Sequence, residues 1–412
     1  MLHQFKKTNE RKVMRDPVHG YINVDYQAIW DLIGTAEFQR LRRIHQLGGT
    51  LQVYHTAEHS RFGHSLGVYE IVRLMIENIK NLKDTLSEYE QVAVLCAGLL
   101  HDLGHGPFSH SFESVTSVNH ELMTRRIILE DTEVHSVLKS VHPSLPQDVA
   151  DIIAHEHKNP LLAQMISSQM DADRMDYLLR DSYFTGVSYG EFDLFRILRT
   201  LRIVDNTIAV KESGIHAVED YIMARYQMYW QVYLHPVSRS YDAILLSIFK
   251  RIKDLMVTHP EIVSEAPAFL PIFEDEEISI KDYLYLDEPT CLAGFKVFMN
   301  SKDDILRDLT RRLLNRDLFA YKDIKEEKDF TDIEAKVEAS TFDTAYYVQE
   351  DHLTQTLYSP YKAHDNASVW ILKDNSLVEL SKASIIVRGF VKGDKKQDRK
   401  VFYPKEIEQQ EL

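Results

Sequence analysis

The chain has 412 residues, room for two or three domains at roughly 150 residues each, and its 44% hydrophobic and 27% charged content is that of an ordinary globular protein. Fifteen glycines and twelve prolines exclude collagen, wholesale disorder and a linker-dominated chain. A net charge of −15 repels polyanions, which argues against sequence-independent nucleic-acid binding and leaves any phosphate-bearing ligand to a local basic cluster or a bound cation.

Along the chain, the N-terminal stretch to Val13 is basic but has no apolar segment, so neither a secretory signal nor a membrane anchor is expected. Asp16 to Gly20, with Pro17 inside and Val13, Tyr21, Ile22 and Val24 around it, predicts a turn or hairpin. From about 27 to 257 the pattern is helical, with no linker able to separate independent domains. Val68, Ile71, Val72, Met75, Ile76 and Ile79 form one buried stripe, whereas Tyr89 to Leu103 is apolar all round and belongs inside a bundle. The longest apolar run, Val92 to Leu100, is about half of the roughly 18 residues a bilayer span needs, so no membrane partner is expected. Cys96 and Cys291, the only cysteines, exclude a disulfide framework and a cysteine zinc site and fit a cytoplasmic location. Pro260, Pro267, Pro271 and the acidic run 274–277 mark a connector with helices beyond it. After 320 come mixed charge, a strand-like piece from Ser384 to Val391 and a basic tail from Lys392 to Lys400. The expected fold is mainly α with a smaller C-terminal α+β region, divided at 1–257, 258–319 and 320–412.

Histidine and aspartate concentrate in four stretches: 61–64, 101–110, 119–121 and 171–177. His64 lies on the buried stripe, four residues before Val68. His101 and Asp102 terminate the most apolar helix, where an ionised carboxylate costs several kcal/mol unless a cation compensates. Asp173 falls on a helical stripe with Ile166, Met170 and Tyr177. A single divalent cation held by His64, His101, Asp102 and Asp173 solves all these burial problems at once. Separate hydrogen-bonded core residues would be the ordinary explanation for one such group, not for four together. Two imidazoles and two carboxylates admit Mg, Mn, Fe, Ni or Zn and select none.

His105, His110 and His120, with Glu113 near them, are suited to proton handling, and Gly104, Gly106 and Pro107 place the first two on a rigid loop. Arg61, Arg40, Arg42 and Arg43 are candidate anion contacts; for the last three a solvated helix face is an equal alternative. No GxxxxGK[ST] phosphate cradle occurs.

The order His64, His101-Asp102, Asp173, together with the strings Phe38 to Arg42, Gln46 to Gly49, Arg61 to Val68 and His101 to His110, resembles the HD-domain deoxynucleoside triphosphate triphosphohydrolases over roughly residues 10 to 250. The resemblance implies an HD-domain helical core that hydrolyses a dNTP at the α-phosphorus to deoxynucleoside and inorganic triphosphate with a divalent cation. It gives His110 the departing 5′ oxygen, and gives His105, backed by Glu113 and His120, the α-phosphate or the water. Arg61, Arg174, Tyr177 and Arg225 would hold the phosphates, and Arg174 stands where a mammalian relative has lysine. Gln46 and Asp181 would read the 3′-OH, while Leu47 and Tyr233 crowd the 2′ position. On one helix Asp173, Tyr177 and Asp181, four residues apart, stay within an arc of roughly 80°.

The resemblance also implies a homotetramer with a nucleotide activator between subunits, to whose pocket Lys12, Gln39, Arg42, Phe62 and Arg196 correspond. Gly34 stands where the mammalian relative reads guanine with aspartate. The rival expectations are another HD phosphohydrolase, acting on a cyclic nucleotide, an alarmone or a nucleoside monophosphate, and a catalytically idle nucleotide sensor.

Overall fold

A computed structural model describes residues 5–109, 112–113, 118–274, 277–355, 368–392 and 396–409. The chain opens with the expected hairpin, β1 (Lys7–Asp16) against β2 (Gly20–Tyr26), Met14 facing Ile22. The Asp16 carboxylate accepts the backbone N–H groups of Val18 and His19, both at 2.9 Å, and Gly20 closes the turn at φ +75°. Helix α1 (Gln27–Gly34) follows, then α2 (Arg61–Asn78), whose Val68, Ile71, Val72, Met75 and Ile76 are buried as their spacing predicts.

Helix α3 (Glu88–Leu100) starts from a capping box between Ser87 and Glu90, and every residue from Val92 to Leu100 is buried. A helix with no polar face is stable only when neighbours cover every side, and here α2, α4 (Leu145–Ile153) and α5 (Pro160–Ile166) do so. Gly98 lets α2 approach, since a Cβ there would lie 3.0 Å from Val72. Helix α6 (Ala172–Thr185) also packs against α2. The apolar core runs on from Ile22 and Val24 in the hairpin to Val401 and Phe402 near the C-terminus. The fold is mainly α with a smaller C-terminal α+β region, and among the described residues no helix is long and apolar enough to cross a membrane.

Several local expectations are corrected. The segment read as uniformly helical contains a hairpin, β3 (Leu201–Val204) and β4 (Thr207–Lys211), turned by Asp205 and Asn206 at φ +48° and +58°, the left-handed pair a two-residue turn requires. Its strands are too short to register against a helical background. Strand β4 then pairs in parallel with Trp370–Lys373, Ala209 opposite Trp370. The stripe joining Ile166, Met170, Asp173 and Tyr177 is not one helix: α5 stops at Ile166 and α6 begins at Ala172 behind the cap Asp171.

Ser384 to Val391 is not a strand. Residues Ile385–Lys392 form a helix because the Ser384 hydroxyl accepts the Val387 N–H at 3.0 Å and Val387 alone of the first three turns inward, leaving Ile385 82% and Ile386 50% exposed. Nor are 396–400 a tail. They begin the strand Lys396–Tyr403, which pairs on both sides with Ala320–Asp323 and Gln349–Gln355, and Lys400 is buried between Asp323 and Asp398.

Gln164 ties the unforeseen hairpin to the helical core, its amide donating to the Asn206 carbonyl and accepting from the Ile208 N–H, both at 3.0 Å. Replacing it by alanine strands both backbone groups. Urea unfolding of Gln164→Ala should show a loss of about 1–3 kcal/mol; unchanged stability would contradict this anchoring.

Candidate metal centre and active site

Three helix ends meet at one point. The first turn of α2 brings His64, the residues just beyond α3 bring His101 and Asp102, and the first turn of α6 brings Asp173, with Asp171 capping that helix through the Arg174 N–H at 2.6 Å. His64 Nε2, His101 Nε2 and a carboxylate oxygen of Asp173 lie within 4.8 Å of one another. Asp173 Oδ1 is 3.1 Å from His64 Nε2 and 3.7 Å from His101 Nε2. Asp102 adjoins this group, its carboxylate 3.4 Å from His101 Nε2 and 3.7 Å from His64 Nε2, while Arg61 Nη1 donates to it at 2.6 Å.

Both imidazoles are aimed. His101 Nδ1 lies 3.0 Å from the Gly98 carbonyl and His64 Nδ1 lies 2.8 Å from Asp176, so each Nε2 turns inward. His101 Nε2 is buried and makes no hydrogen bond of ordinary geometry among the described residues, with the carboxylates of Asp102 and Asp173 beside it at 3.4 and 3.7 Å. Burial works against a charged His64, yet hydrogen bonds to Asp173 and Asp176 push it up to about 10. Burial would likewise raise Asp102, but His101 and Arg61 hold it well below the usual carboxylate range. The local field favours positive charge at this point. Two imidazole nitrogens and two carboxylates are a fitting donor set for a divalent cation and do not discriminate between metals.

Beyond the ligands the chain forms a loop. His105 Nε2 is 3.3 Å from Asp102, and the His105 ring stacks on His120 at 4.0 Å. Burial and the Arg61 charge push His105 far below the ordinary imidazole value, so it is neutral. His120 Nδ1 lies 2.9 Å from Glu113. His110 lies outside the described residues.

This loop is pinned from outside. Thr124 accepts the Gly104 N–H at 2.8 Å, the Tyr283 hydroxyl donates to the Gly104 carbonyl at 2.6 Å, and Glu288 accepts the Phe108 N–H at 3.3 Å. These partners hold Phe108 and Ser109 in left-handed backbone at φ +60° and +52°, a conformation that costs of order 1–3 kcal/mol per non-glycine residue. Arg40 belongs to the same clamp, which corrects its reading as an anion contact. It is fully buried and donates to the carbonyls of His105 and Leu286. Arg43 is exposed, in keeping with the solvated alternative, and its guanidinium pairs with Asp287.

A cavity of about 630 Å³ opens over the cluster, with Gln46, Leu47, Arg61, Tyr177, Asp181 and Tyr233 in its wall. Arg61 also donates to the Ser109 hydroxyl at 3.1 and 2.8 Å. Asp181 lies 2.8 Å from His59 Nε2 and accepts the Tyr233 hydroxyl at 2.7 Å, while Gln46 Oε1 is buried without a partner among the described residues. Arg174 donates to the Ser168 carbonyl at 2.9 Å and Arg225 to the Gln169 side chain at 2.8 Å, so both hold the segment leading into α6.

Of the residues matched to a regulatory pocket, Gln39, Arg42 and Phe62 meet. Arg42 donates to Gln39 at 2.9 Å and lies 3.5 Å over the Phe62 ring. Lys12 pairs with Glu10 and Arg196 with the Ser213 carbonyl. Sequence reasoning missed Asp176, whose only signal is its place three residues after Asp173, and it missed Tyr283 and Glu288, which have no local signal.

This geometry is that of a known family. The HD domain model matches residues 61–181, containing all four candidate ligands, and the HD associated region model matches residues 192–411. The chain belongs to the HD-domain phosphohydrolase family. The uncharacterized protein YwfO of Bacillus subtilis is 48% identical over 411 residues, covering 97% of this chain and 94% of its own length. Human deoxynucleoside triphosphate triphosphohydrolase SAMHD1 is 28% identical over 282 residues, 59% of this chain and 45% of its own. Among solved structures, a phosphohydrolase from Bacteroides thetaiotaomicron superposes with a TM-score of 0.84 at 28% identity, covering 96% of this chain and 100% of that one.

Removing one ligand from the cluster should be decisive for cation binding. His101→Ala and Asp173→Ala are expected to weaken Mn²⁺ binding at least ~100-fold in calorimetric titrations while leaving circular dichroism unchanged, since even partners of ligands are worth 10–100-fold. Binding as tight as in the unaltered protein would remove the cluster from consideration.

Proposed function

We propose that the protein hydrolyses deoxynucleoside triphosphates at the α-phosphorus, releasing deoxynucleoside and inorganic triphosphate. The observation that carries this reading is that the candidate cluster shares one cavity with Gln46, Leu47, Asp181 and Tyr233. The similarity to SAMHD1 proteins supports it. A divalent cation held by His64, His101, Asp102 and Asp173 would polarise a phosphoryl oxygen and lower the pKa of water.

The chain's own residues do the rest. Arg61, at the edge of the cluster, steadies an α-phosphate oxygen as well as Asp102. Neutral His105 holds phosphate or water by hydrogen bond, and the Glu113–His120 pair backs its ring. His110 takes the role of proton donor to the 5′ oxygen on resemblance alone. Gln46 Oε1 and the Asp181 carboxylate accept from a 3′-OH, Leu47 and Tyr233 exclude a 2′-OH by volume, and Tyr177 with Arg174 and Arg225 receives the outer phosphates once the two arginines leave their present partners. On resemblance, too, the reading extends to a cytoplasmic homotetramer activated by nucleotide at Lys12, Gln39, Arg42, Phe62 and Arg196.

Incubation with each dNTP, singly and in pairs, with Mg²⁺ or Mn²⁺ and chromatography of the products tests the proposal. Inorganic triphosphate with deoxynucleoside is expected, and faster turnover of pairs would support activation. Pyrophosphate or monophosphate products would point to another HD phosphohydrolase, and nucleotide binding without products to a sensor. In a second assay Leu47→Ala should lower the preference for dNTP over rNTP by about tenfold, the scale of a small change in an apolar wall; an unaltered ratio would take Leu47 out of sugar selection.

A further inference from the structure

The N-terminal hairpin lies outside the segment matched as HD domain, yet its turn reaches the back of the metal centre. Asp16 organises it. One carboxylate oxygen of Asp16 accepts the Val18 and His19 N–H groups, and the other accepts Arg180 Nη1 at 2.9 Å. The His19 ring extends from this turn to place Nε2 2.6 Å from Asp176.

Asp176 is fully buried and also accepts Arg180 Nε and Nη2 at 2.8 and 3.0 Å, while facing His64 Nδ1 at 2.8 Å. Room for this carboxylate exists because residue 67 on α2 is glycine: a Cβ there would lie 1.8 Å from Asp176 Oδ1 and 2.5 Å from Arg180. A carboxylate behind a ligating imidazole keeps the proton on Nδ1 and the lone pair on Nε2, and it fixes the ring plane only if it cannot itself rotate. His19 and Arg180 prevent that rotation, and both are held by Asp16.

We propose that His19 is a positioning residue for the metal centre: acting through Asp176, it holds His64 so that Nε2 faces the cation, and the N-terminal hairpin is thereby part of the metal site. The inference rests on the reading of the cluster as a cation site. It gives the hairpin turn a role that neither the ligand set nor the cavity wall contains.

The test measures Mn²⁺ affinity of the full chain by competition with a chelating dye, and the visible absorption of bound Co²⁺, which reports ligand geometry independently of turnover. His19→Phe fills the space without a donor and should weaken Mn²⁺ binding about tenfold and alter the Co²⁺ bands, at unchanged circular dichroism. His19→Gln, whose amide nitrogen can occupy the place of Nε2, should restore affinity to within about threefold. If His19→Phe does not fold, His19→Asn, too short to span to Asp176, carries the same expectation. Wild-type affinity and wild-type Co²⁺ bands in a folded variant lacking the donor would overturn the proposal while leaving the cation site intact. Absence of Mn²⁺ binding by the unaltered protein, or binding indifferent to His101→Ala, would instead overturn the cation site and this proposal with it.

Discussion

Charge burial is the constraint from which the rest of the structure follows. Asp102 and Asp176 are buried and Asp173 stands at the cavity wall, all within reach of His64. An uncompensated carboxylate in such a place costs several kcal/mol, so counter-charge has to be built in. Arg180 supplies it for Asp176, where His19 adds a hydrogen bond, and Arg61 supplies part of it for Asp102. What is left over, at the point where two Nε2 atoms converge on Asp173, favours a cation. The helix α3 earns its lack of a polar face here: only a helix enclosed on all sides can deliver His101 and Asp102 to the centre of the bundle.

The second constraint is the shape of the loop that follows. Two left-handed non-glycine residues persist only where their surroundings over-determine them. Those surroundings come from both matched regions. Thr124 lies in the HD domain, whereas Tyr283 and Glu288 lie in the associated region, and Arg40 precedes both. The associated region is therefore more than an appendage to the helical core. It grips the backbone of the loop that carries His105.

The candidate cluster was legible in the sequence because His64, His101, Asp102 and Asp173 each break an apolar pattern, and the structure brings His64, His101 and Asp173 within 4.8 Å of one another with Asp102 beside them. The hairpin at Asp16 to Gly20 was legible because Pro17 and Gly20 punctuate it. The roles of Asp176 and His19 were not: one lies in the acidic stretch 171–177 and the other in the hairpin turn, but their meaning lies in a contact spanning 157 positions. Arg40 was misread for a related reason: a run of arginines does not reveal which guanidinium turns inward to bind carbonyls. The hairpin at Leu201–Lys211 is too short to interrupt a helical periodicity, and Ser384 to Val391 has strand-forming side chains overruled by one serine cap. His59, which meets Asp181, and Glu288, which meets Phe108, depend on tertiary packing alone.

Anomalous diffraction from crystals grown with Mn²⁺ tests the central claim most directly. One strong peak is predicted within coordination distance of His64 Nε2, His101 Nε2 and the carboxylates of Asp102 and Asp173. A peak bound elsewhere, with those four side chains making no metal contact, would contradict it.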